Sequence, residues 1–108
     1  VEQAETLRDY SERIIVKIPV TQEGLKAMTA LSHLQFPIMA TAIFSANQAL
    51  FACRAGAKYL APYYSRMNMP LETLEGINFI LDRYNFDAKM VVASLKSLED
   101  IQDCLDFG

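Results

Sequence analysis

The hydrophobic positions of the chain follow two patterns: short aliphatic runs, and longer segments with an apolar residue every three or four positions. The runs predict four β-strands, at residues 14–20, 38–44, 58–64 and 89–95, and the periodic segments predict a helix after each strand. A more polar amphipathic helix is predicted over residues 1–12. Strand and helix therefore alternate with short connections, which predicts right-handed crossovers and a parallel sheet.

Capping residues mark where the predicted helices begin and end. Ser45-x-x-Gln48 is a capping box at the start of the second of these helices. The other predicted boundaries fall at residues that favour helix ends or exclude helix, namely Thr21, Pro37, Gly56, Pro70, Asn85, Ser97 and Gly108.

The first strand, Ile14-Ile15-Val16-Lys17-Ile18-Pro19-Val20, carries a lysine in the middle of an aliphatic run. Such a run is typical of a strand that is covered on both faces, where an ammonium group is costly. With a period of two, the even-numbered positions form a wholly aliphatic face for helix packing. We therefore expect Lys17 to point to the opposite face.

Two interpretations of Lys17 are open at this point. An edge strand can carry a lysine whose stem lies on apolar surface while its ammonium group reaches water, and Pro19 also suits an edge. Alternatively, desolvation keeps the amine neutral, so that it attacks a carbonyl and forms a Schiff base. On composition and periodicity alone, the first interpretation is the more common case.

Polar residues on the other three strands bear on this choice. We expect Thr41, Tyr63 and Ser94 to share the face of Lys17, each toward the C-terminal part of its strand. Ligands and chemistry lie at that end of the parallel strands in (β/α) proteins. Each residue alone would more often belong to the core, but together with Lys17 they predict a site for carbonyl chemistry.

Composition narrows the class of protein. The 108 residues are 52% hydrophobic and 21% charged, which fits a single globular domain over residues 1–108. The net charge of −3 does not suggest a nucleic-acid partner, and no apolar run approaches the ~20 residues of a membrane span. Cys53 and Cys104 lack disulfide or metal-site spacing, so we expect reduced, buried thiols in a cytoplasmic protein. Because the chain does not begin with methionine, we expect a segment of a longer one.

Several longer motifs resemble the transaldolase family. They are Val16-Lys17-Ile18-Pro19-Val20-Thr21-x-Glu23-Gly24-Leu25, Thr41-Ala-Ile-Phe-Ser45-Ala-Asn-Gln48-Ala-Leu50, Ala55-Gly56-Ala57-x-Tyr59-x-Ala61-Pro62-Tyr63-x-x-Arg66 and Val92-Ala93-Ser94-x-Lys96. The resemblance covers nearly the whole chain from residue 13 onward. It implies a (β/α)8 TIM barrel of which this chain supplies about four βα units, corresponding to strands four to seven, without a metal or organic cofactor.

The resemblance also implies roles for individual residues. Lys17 matches the lysine that forms a Schiff base with a ketose carbonyl. Tyr63 matches the tyrosine that transfers protons together with a water held by Thr41. Arg66 and Ser94 match the groups that hold the substrate phosphate, although from the residues alone Arg66 would more often be a solvated loop charge.

Three substrate-facing positions resemble the fructose-6-phosphate aldolase-like branch. True transaldolases tend to carry asparagine where Met39 stands, and Ser-Pro-Phe where this chain has Ala61-Pro62-Tyr63. The implied reaction is reversible cleavage of fructose 6-phosphate to dihydroxyacetone and glyceraldehyde 3-phosphate. Transfer of the dihydroxyacetone unit between sugar phosphates, as in a transaldolase, is the alternative.

The chain departs from the family pattern in ways that leave a further alternative open. It has no counterpart of the family's first-strand aspartate, second-strand asparagine or third-strand glutamine or glutamate, and Met67-Asn68-Met69 lacks the acidic residue common after Arg66. A non-catalytic half-barrel that associates with a complementary half or with itself is therefore also possible. A well-folded monomer would instead favour an open flavodoxin-like sheet. For the intact protein we expect sugar-phosphate substrates and a homo-oligomer.

Overall fold

The computed structural model describes residues 2–8, 14–64, 67, 70–93 and 98–105, with the backbone alone for residues 2, 7 and 8. Helices and strands alternate through these segments, as the hydrophobic pattern predicts. The elements are α1 (Glu2–Arg8), β1 (Val16–Pro19), α2 (Gln22–His33), β2 (Ile38–Ile43), α3 (Ala46–Arg54), β3 (Tyr59–Pro62), α4 (Pro70–Arg83), β4 (Lys89–Met90) and α5 (Leu98–Leu105).

The four strands form one parallel sheet whose spatial order, β1-β2-β3-β4, is also the chain order. Helices α1 to α4 contribute side chains to a single core on one face of this sheet. A doubly wound open sheet would need helices on both faces and a reversal of strand order. The predicted α/β fold is therefore confirmed: the chain forms consecutive βα units of the kind that build a (β/α)8 barrel.

The core lies between the even-numbered positions of β1 to β3 and the inner faces of the helices. Its fully buried members include Ile38 and Leu60 from the sheet, and Met28 and Ile77 from α2 and α4. Burying each of these side chains contributes about 1.5–3 kcal/mol to folding. The sheet and its helices are thus held together mainly by this one apolar layer.

The apolar spacing along α2 and α4 continues to Leu34 and Tyr84, which predicts buried side chains at both positions. Both side chains are instead exposed, by 43% and 55%. Each lies one residue beyond the end of its helix, where the chain turns away from the core.

The helix ends largely follow the predicted capping chemistry. Thr21 Oγ1 accepts a hydrogen bond from the Gly24 N–H (2.9 Å), and Ser45 Oγ accepts one from the Gln48 N–H (3.3 Å). The Gln48 amide oxygen accepts from the N–H of Phe44 (2.8 Å) rather than that of Ser45, so the predicted capping box is displaced by one residue. Left-handed φ angles follow the last turns of α3 and α4, at Gly56 (102°) and Asn85 (53°). Ser97 and Gly108 lie outside the described residues.

The other face of the sheet is open to solvent. Ile15 and Val91 are 45% and 44% exposed, and Lys17, Pro19 and Lys89 are also exposed. The expectation that the first strand is covered on both faces is therefore wrong for this chain, because these side chains occupy the face that a closed barrel would enclose. No helix in the described part of the chain combines the length and apolarity needed to cross a membrane.

Candidate functional site

The open face of the sheet carries Lys17 next to Met39. The register of β1 and β2 pairs Lys17 with Met39 and Pro19 with Thr41. Lys17 is exposed while the next residue, Ile18, is buried in the core, so the lysine points away from the helices, as predicted. Thr41 lies one strand across and two residues farther along, which corresponds to about 5 Å and about 7 Å. Among the described residues, the Lys17 ammonium has no hydrogen-bond or ion-pair partner.

A β-bulge in β2 changes which side chains reach this face. The register runs from Ala40 opposite Leu60 to Ile43 opposite Pro62, so β2 has one more residue than β3 over this interval. Ala42 has a left-handed φ of 57° within the bulge. The extra residue turns Ile43 into the core, where it is fully buried.

Tyr63 is held at the end of β3 by the strands on both sides. Its N–H donates to the Ile43 carbonyl (3.2 Å), and a parallel bridge pairs it with Ala93. Its ring packs edge-to-face on Phe44, with centroids 5.5 Å apart and planes at 90°. Phe44 is therefore a direct neighbour of the Tyr63 ring, and its own N–H donates to Gln48 Oε1. Sequence reasoning missed Phe44 because it appears only as the last residue of an apolar run.

Lys17 and Tyr63 lie at different levels of the sheet. Lys17 shares a row with Met39, Tyr59 and Lys89, whereas Tyr63 lies four residues beyond Tyr59, or about 13 Å along the strand. The prediction that the site residues lie toward the C-terminal parts of their strands holds for Thr41 and Tyr63. It is wrong for Lys17, the second residue of β1.

Sequence reasoning also missed Tyr59 and Lys89 as neighbours in the Lys17 row. Period-two alternation predicts that both residues point to the Lys17 face, but their position in the Lys17 row depends on the strand register, which the sequence does not give. Of the other predicted site residues, Ala61 is buried between Tyr59 and Tyr63 on β3. Arg66 and Ser94 lie outside the described residues, and the residue that pairs with Tyr63 is Ala93.

The two cysteines are free thiols in environments that disfavour ionisation. Burial raises the pKa of Cys53 from 9.0 to about 11. Cys104 is half-buried rather than buried as expected, and its pKa is raised by burial and by the nearby Asp100 and Asp103. Because the thiolate is the reactive form, neither cysteine has the environment of a nucleophile. No cluster of three or more potential metal ligands occurs in the described segments.

Two concavities occur near the amino-terminal ends of the strands, away from Tyr63. Their volumes are about 380 and 250 Å³, and Pro37 and Lys58 line both. Lys17, Thr41 and Tyr63 line neither concavity. The candidate site residues instead lie on the open face of the sheet, on which Lys17 is exposed.

Comparisons with known proteins identify the family. The family model described as Transaldolase/Fructose-6-phosphate aldolase matches residues 1–105. A probable transaldolase of Coprothermobacter proteolyticus is 38% identical over all of this chain and 52% of the relative, and one of Maricaulis maris is 35% identical over the same shares. A probable fructose-6-phosphate aldolase of Streptococcus pneumoniae is 38% identical over 94% of this chain and 47% of the relative.

The chain spans about half the length of these curated relatives. That share agrees with a sheet of four strands in a family whose barrel, as the sequence resemblance implies, has eight. The match covers β1 to β4 and the helices between them. The chain belongs to the transaldolase/fructose-6-phosphate aldolase family.

Proposed function

We propose that this chain is part of a Schiff-base aldolase that reversibly cleaves fructose 6-phosphate to dihydroxyacetone and glyceraldehyde 3-phosphate. The observation that carries the proposal is the position of Lys17 within a family match over nearly the whole chain, on the sheet face opposite the helices. An amine at this position can add to the ketose carbonyl and lose water to give an iminium ion. The iminium then accepts the electron pair of the breaking C3–C4 bond and becomes an enamine.

Tyr63 and Thr41 are proposed to move the protons. Cleavage of the C3–C4 bond requires loss of a proton from the C4 hydroxyl, and the enamine must be protonated at carbon before dihydroxyacetone is released. The Ile43 carbonyl accepts the Tyr63 N–H, and the Phe44 ring packs against the Tyr63 ring, so these contacts orient the phenol on the Lys17 face. A water that donates to Thr41 can carry protons between this phenol and a substrate bound at Lys17.

The two levels of the site must be bridged by side chains, because the C4 hydroxyl is carried only two carbons away from the C2 atom bound to Lys17. The Lys17 and Tyr63 rows are four residues, or about 13 Å, apart along the strands, so the proposal requires the amine and the phenol to extend toward each other. In the proposal, Arg66 and Ser94 bind the substrate phosphate, with which a guanidinium group can form paired hydrogen bonds.

We favour the aldolase over the transaldolase because of what lines the Lys17 row. Met39 stands directly beside Lys17 and Ala61 stands between Tyr59 and Tyr63, so neither position offers a hydrogen bond to hydroxyl groups of a retained dihydroxyacetone unit. A weakly held three-carbon unit leaves the enzyme readily after cleavage. The transaldolase reaction remains the second candidate because most of the similar curated relatives described above are named probable transaldolases.

Catalysis is proposed for the complete barrel and not for this chain alone. Lys17 is exposed, and the desolvation that keeps an amine neutral requires a covering layer over the open face. The alternative is a non-catalytic half-barrel whose open face and outer strands associate with a complementary half or with a second copy. Sedimentation of the isolated chain distinguishes an associating half-barrel from an independent monomer.

We also propose that the intact protein is a cytoplasmic homo-oligomer, to which exposed aromatic side chains such as Phe51 and Phe79 would contribute contact surface.

Incubation of the full-length protein with fructose 6-phosphate, without an aldehyde acceptor, tests the proposed reaction. We expect free dihydroxyacetone and glyceraldehyde 3-phosphate to accumulate in equal amounts. A product that forms only after an aldose phosphate acceptor is added would assign the protein to the transaldolases. Lys17→Met serves as the control, since it removes the amine and keeps the side-chain volume close to that of lysine.

A further inference from the structure

Tyr64, the residue after Tyr63, is tied to helix α5 through its side chain. It is 5% exposed, and its hydroxyl group donates a hydrogen bond to Asp103 Oδ2 over 3.1 Å. Its backbone N–H donates to the Ala93 carbonyl over 2.9 Å. Both the main chain and the side chain of this residue therefore have fixed partners.

The chemistry of the pair favours a stable hydrogen bond at neutral pH. Burial, followed by the hydrogen bond to Asp103 and the negative charges nearby, raises the pKa of Tyr64 to about 12. The phenol thus stays protonated and able to donate, while Asp103 accepts as a carboxylate. A hydrogen bond to a charged acceptor is stronger than one between neutral groups.

Helix α5 otherwise makes little use of the core. None of its residues is fully buried, and Leu98, Ile101 and Leu105, its apolar stripe, are 77%, 43% and 72% exposed. The Asp103–Tyr64 hydrogen bond is therefore a specific link between this helix and the end of β3. It joins residues that are 39 positions apart in the chain.

We propose that Asp103 and Tyr64 are positioning residues for Tyr63. The inference rests on the proposed function, in which Tyr63 moves protons during cleavage. Tyr64 directly follows Tyr63 and begins a 3₁₀ turn at the point where the chain leaves β3. Because the two residues share a peptide unit, restraints on the main chain and side chain of Tyr64 also restrain the backbone from which the Tyr63 phenol extends. The Ile43 and Ala93 carbonyls hold the two backbone N–H groups, and Asp103 holds the far end of the Tyr64 ring.

The kinetic test compares Asp103→Ala with Asp103→Asn in the full-length protein. We expect Asp103→Ala to lower kcat for cleavage by about 10- to 100-fold, the usual effect of a misplaced catalytic group. KM and the amount of trapped dihydroxyacetone adduct should change little, because Lys17 is untouched. Asp103→Asn keeps an acceptor for the Tyr64 hydroxyl, so it should restore most of the rate.

Two further variants separate positioning from a general effect on α5. Glu99→Ala changes an exposed acidic residue on the same helix and should leave kcat unchanged. Tyr64→Phe removes the donor, so it should match Asp103→Ala, and the double variant should be no slower than either single variant. Normal kcat in both Asp103→Ala and Tyr64→Phe would overturn the proposal, as would equal losses in Asp103→Ala and Asp103→Asn.

Amide hydrogen exchange gives a readout that does not depend on activity. We expect Asp103→Ala to speed exchange of the Tyr63 and Tyr64 amides by about tenfold, the weight of one hydrogen bond, while Glu99→Ala and Asp103→Asn leave them protected. Unchanged protection in Asp103→Ala would overturn the positioning role. If the parent protein showed no cleavage at all, the proposed function would fail, and exchange alone would decide whether Asp103 holds the end of β3.

Discussion

Replacement of Gly24 by alanine should destabilise the turn that joins β1 to α2. Gly24 lies in the first turn of α2, and its N–H donates to the Thr21 cap. A Cβ atom at this position would collide with the Pro19 carbonyl oxygen and would lie 3.0 Å from Thr21 Oγ1 and 3.2 Å from Ile18 Cγ2. Two of these groups are backbone or capping atoms, so the contact cannot be relieved by rotation of a flexible side chain.

The expected change in the free energy of unfolding is the balance of two opposing effects. Alanine in a helix is favoured over glycine by about 0.8–1.0 kcal/mol. Insertion of a methyl group into a filled space costs about 1–3 kcal/mol, and weakening the N-cap adds about 1 kcal/mol. We therefore expect Gly24→Ala to lower the free energy of unfolding by about 1–3 kcal/mol, since the steric and capping losses exceed the gain in helix propensity.

Gly76→Ala is the matched control. Gly76 lies inside α4, and among the described residues a Cβ atom there would meet the Ala46 Cβ of α3, at 3.2 Å. A small separation of the two helices relieves this contact, so we expect stability within about 1 kcal/mol of the parent. Urea unfolding of both variants, followed by circular dichroism, measures the difference. If Gly24→Ala were as stable as Gly76→Ala, the close approach of the helix to the end of β1 would be refuted.

Three further predictions concern the site, the core and the bulge. Tyr63→Phe should leave adduct formation on Lys17 largely intact and slow cleavage by about 10²–10⁴-fold; an unchanged cleavage rate would remove Tyr63 from the mechanism. Because burial raises the pKa of Cys53 from 9.0 to about 11, the folded state keeps the thiol proton longer than the unfolded state does. The stability that this proton contributes is present below pH 9 and is lost as the pH rises to about 11, so unfolding midpoints should fall over this interval in the parent and less in Cys53→Ala; an equal fall in both would contradict the assignment. Ala42→Val should lower stability by about 1–2 kcal/mol, because a side chain with a left-handed φ of 57° is strained and a branched one more so; a variant with parental stability would argue against the bulge.

The order of elements and the side of the sheet on which Lys17 lies could be predicted from the sequence. Both depend on local patterns: an apolar residue every three or four positions in helices, and alternation in β1. The even-numbered residues of β1 contact the core and Lys17 does not, as the alternation requires. These features need no knowledge of distant residues.

The bulge in β2 could not be predicted, and neither could its effect on the site. Residues 38–44 are apolar except Thr41, so the pattern carries no sign of where the alternation breaks at Ala42. The contact of Phe44 with Tyr63 follows from this break. The Tyr64–Asp103 hydrogen bond could not be predicted either. Its partners are 39 positions apart in the chain, and no sequence pattern indicates which helix contacts the end of β3.

The exposure of the sheet face has a different physical cause. The aliphatic pattern of β1 predicts burial on both sides, but whether a strand is buried depends on what covers it. Within this chain the helices cover one face only, and Ile15 and Val91 stay exposed on the other.

Covalent trapping at Lys17 tests the central claim most directly. Full-length protein is incubated with dihydroxyacetone, reduced with borohydride, digested and analysed by mass spectrometry, beside Lys17→Met. The proposal predicts that one reduced adduct, with the mass of dihydroxyacetone less that of one oxygen atom, maps to Lys17 and is absent from Lys17→Met. No adduct, or the same yield on another lysine such as Lys89 in both proteins, would contradict the assignment of Lys17 as the Schiff-base residue.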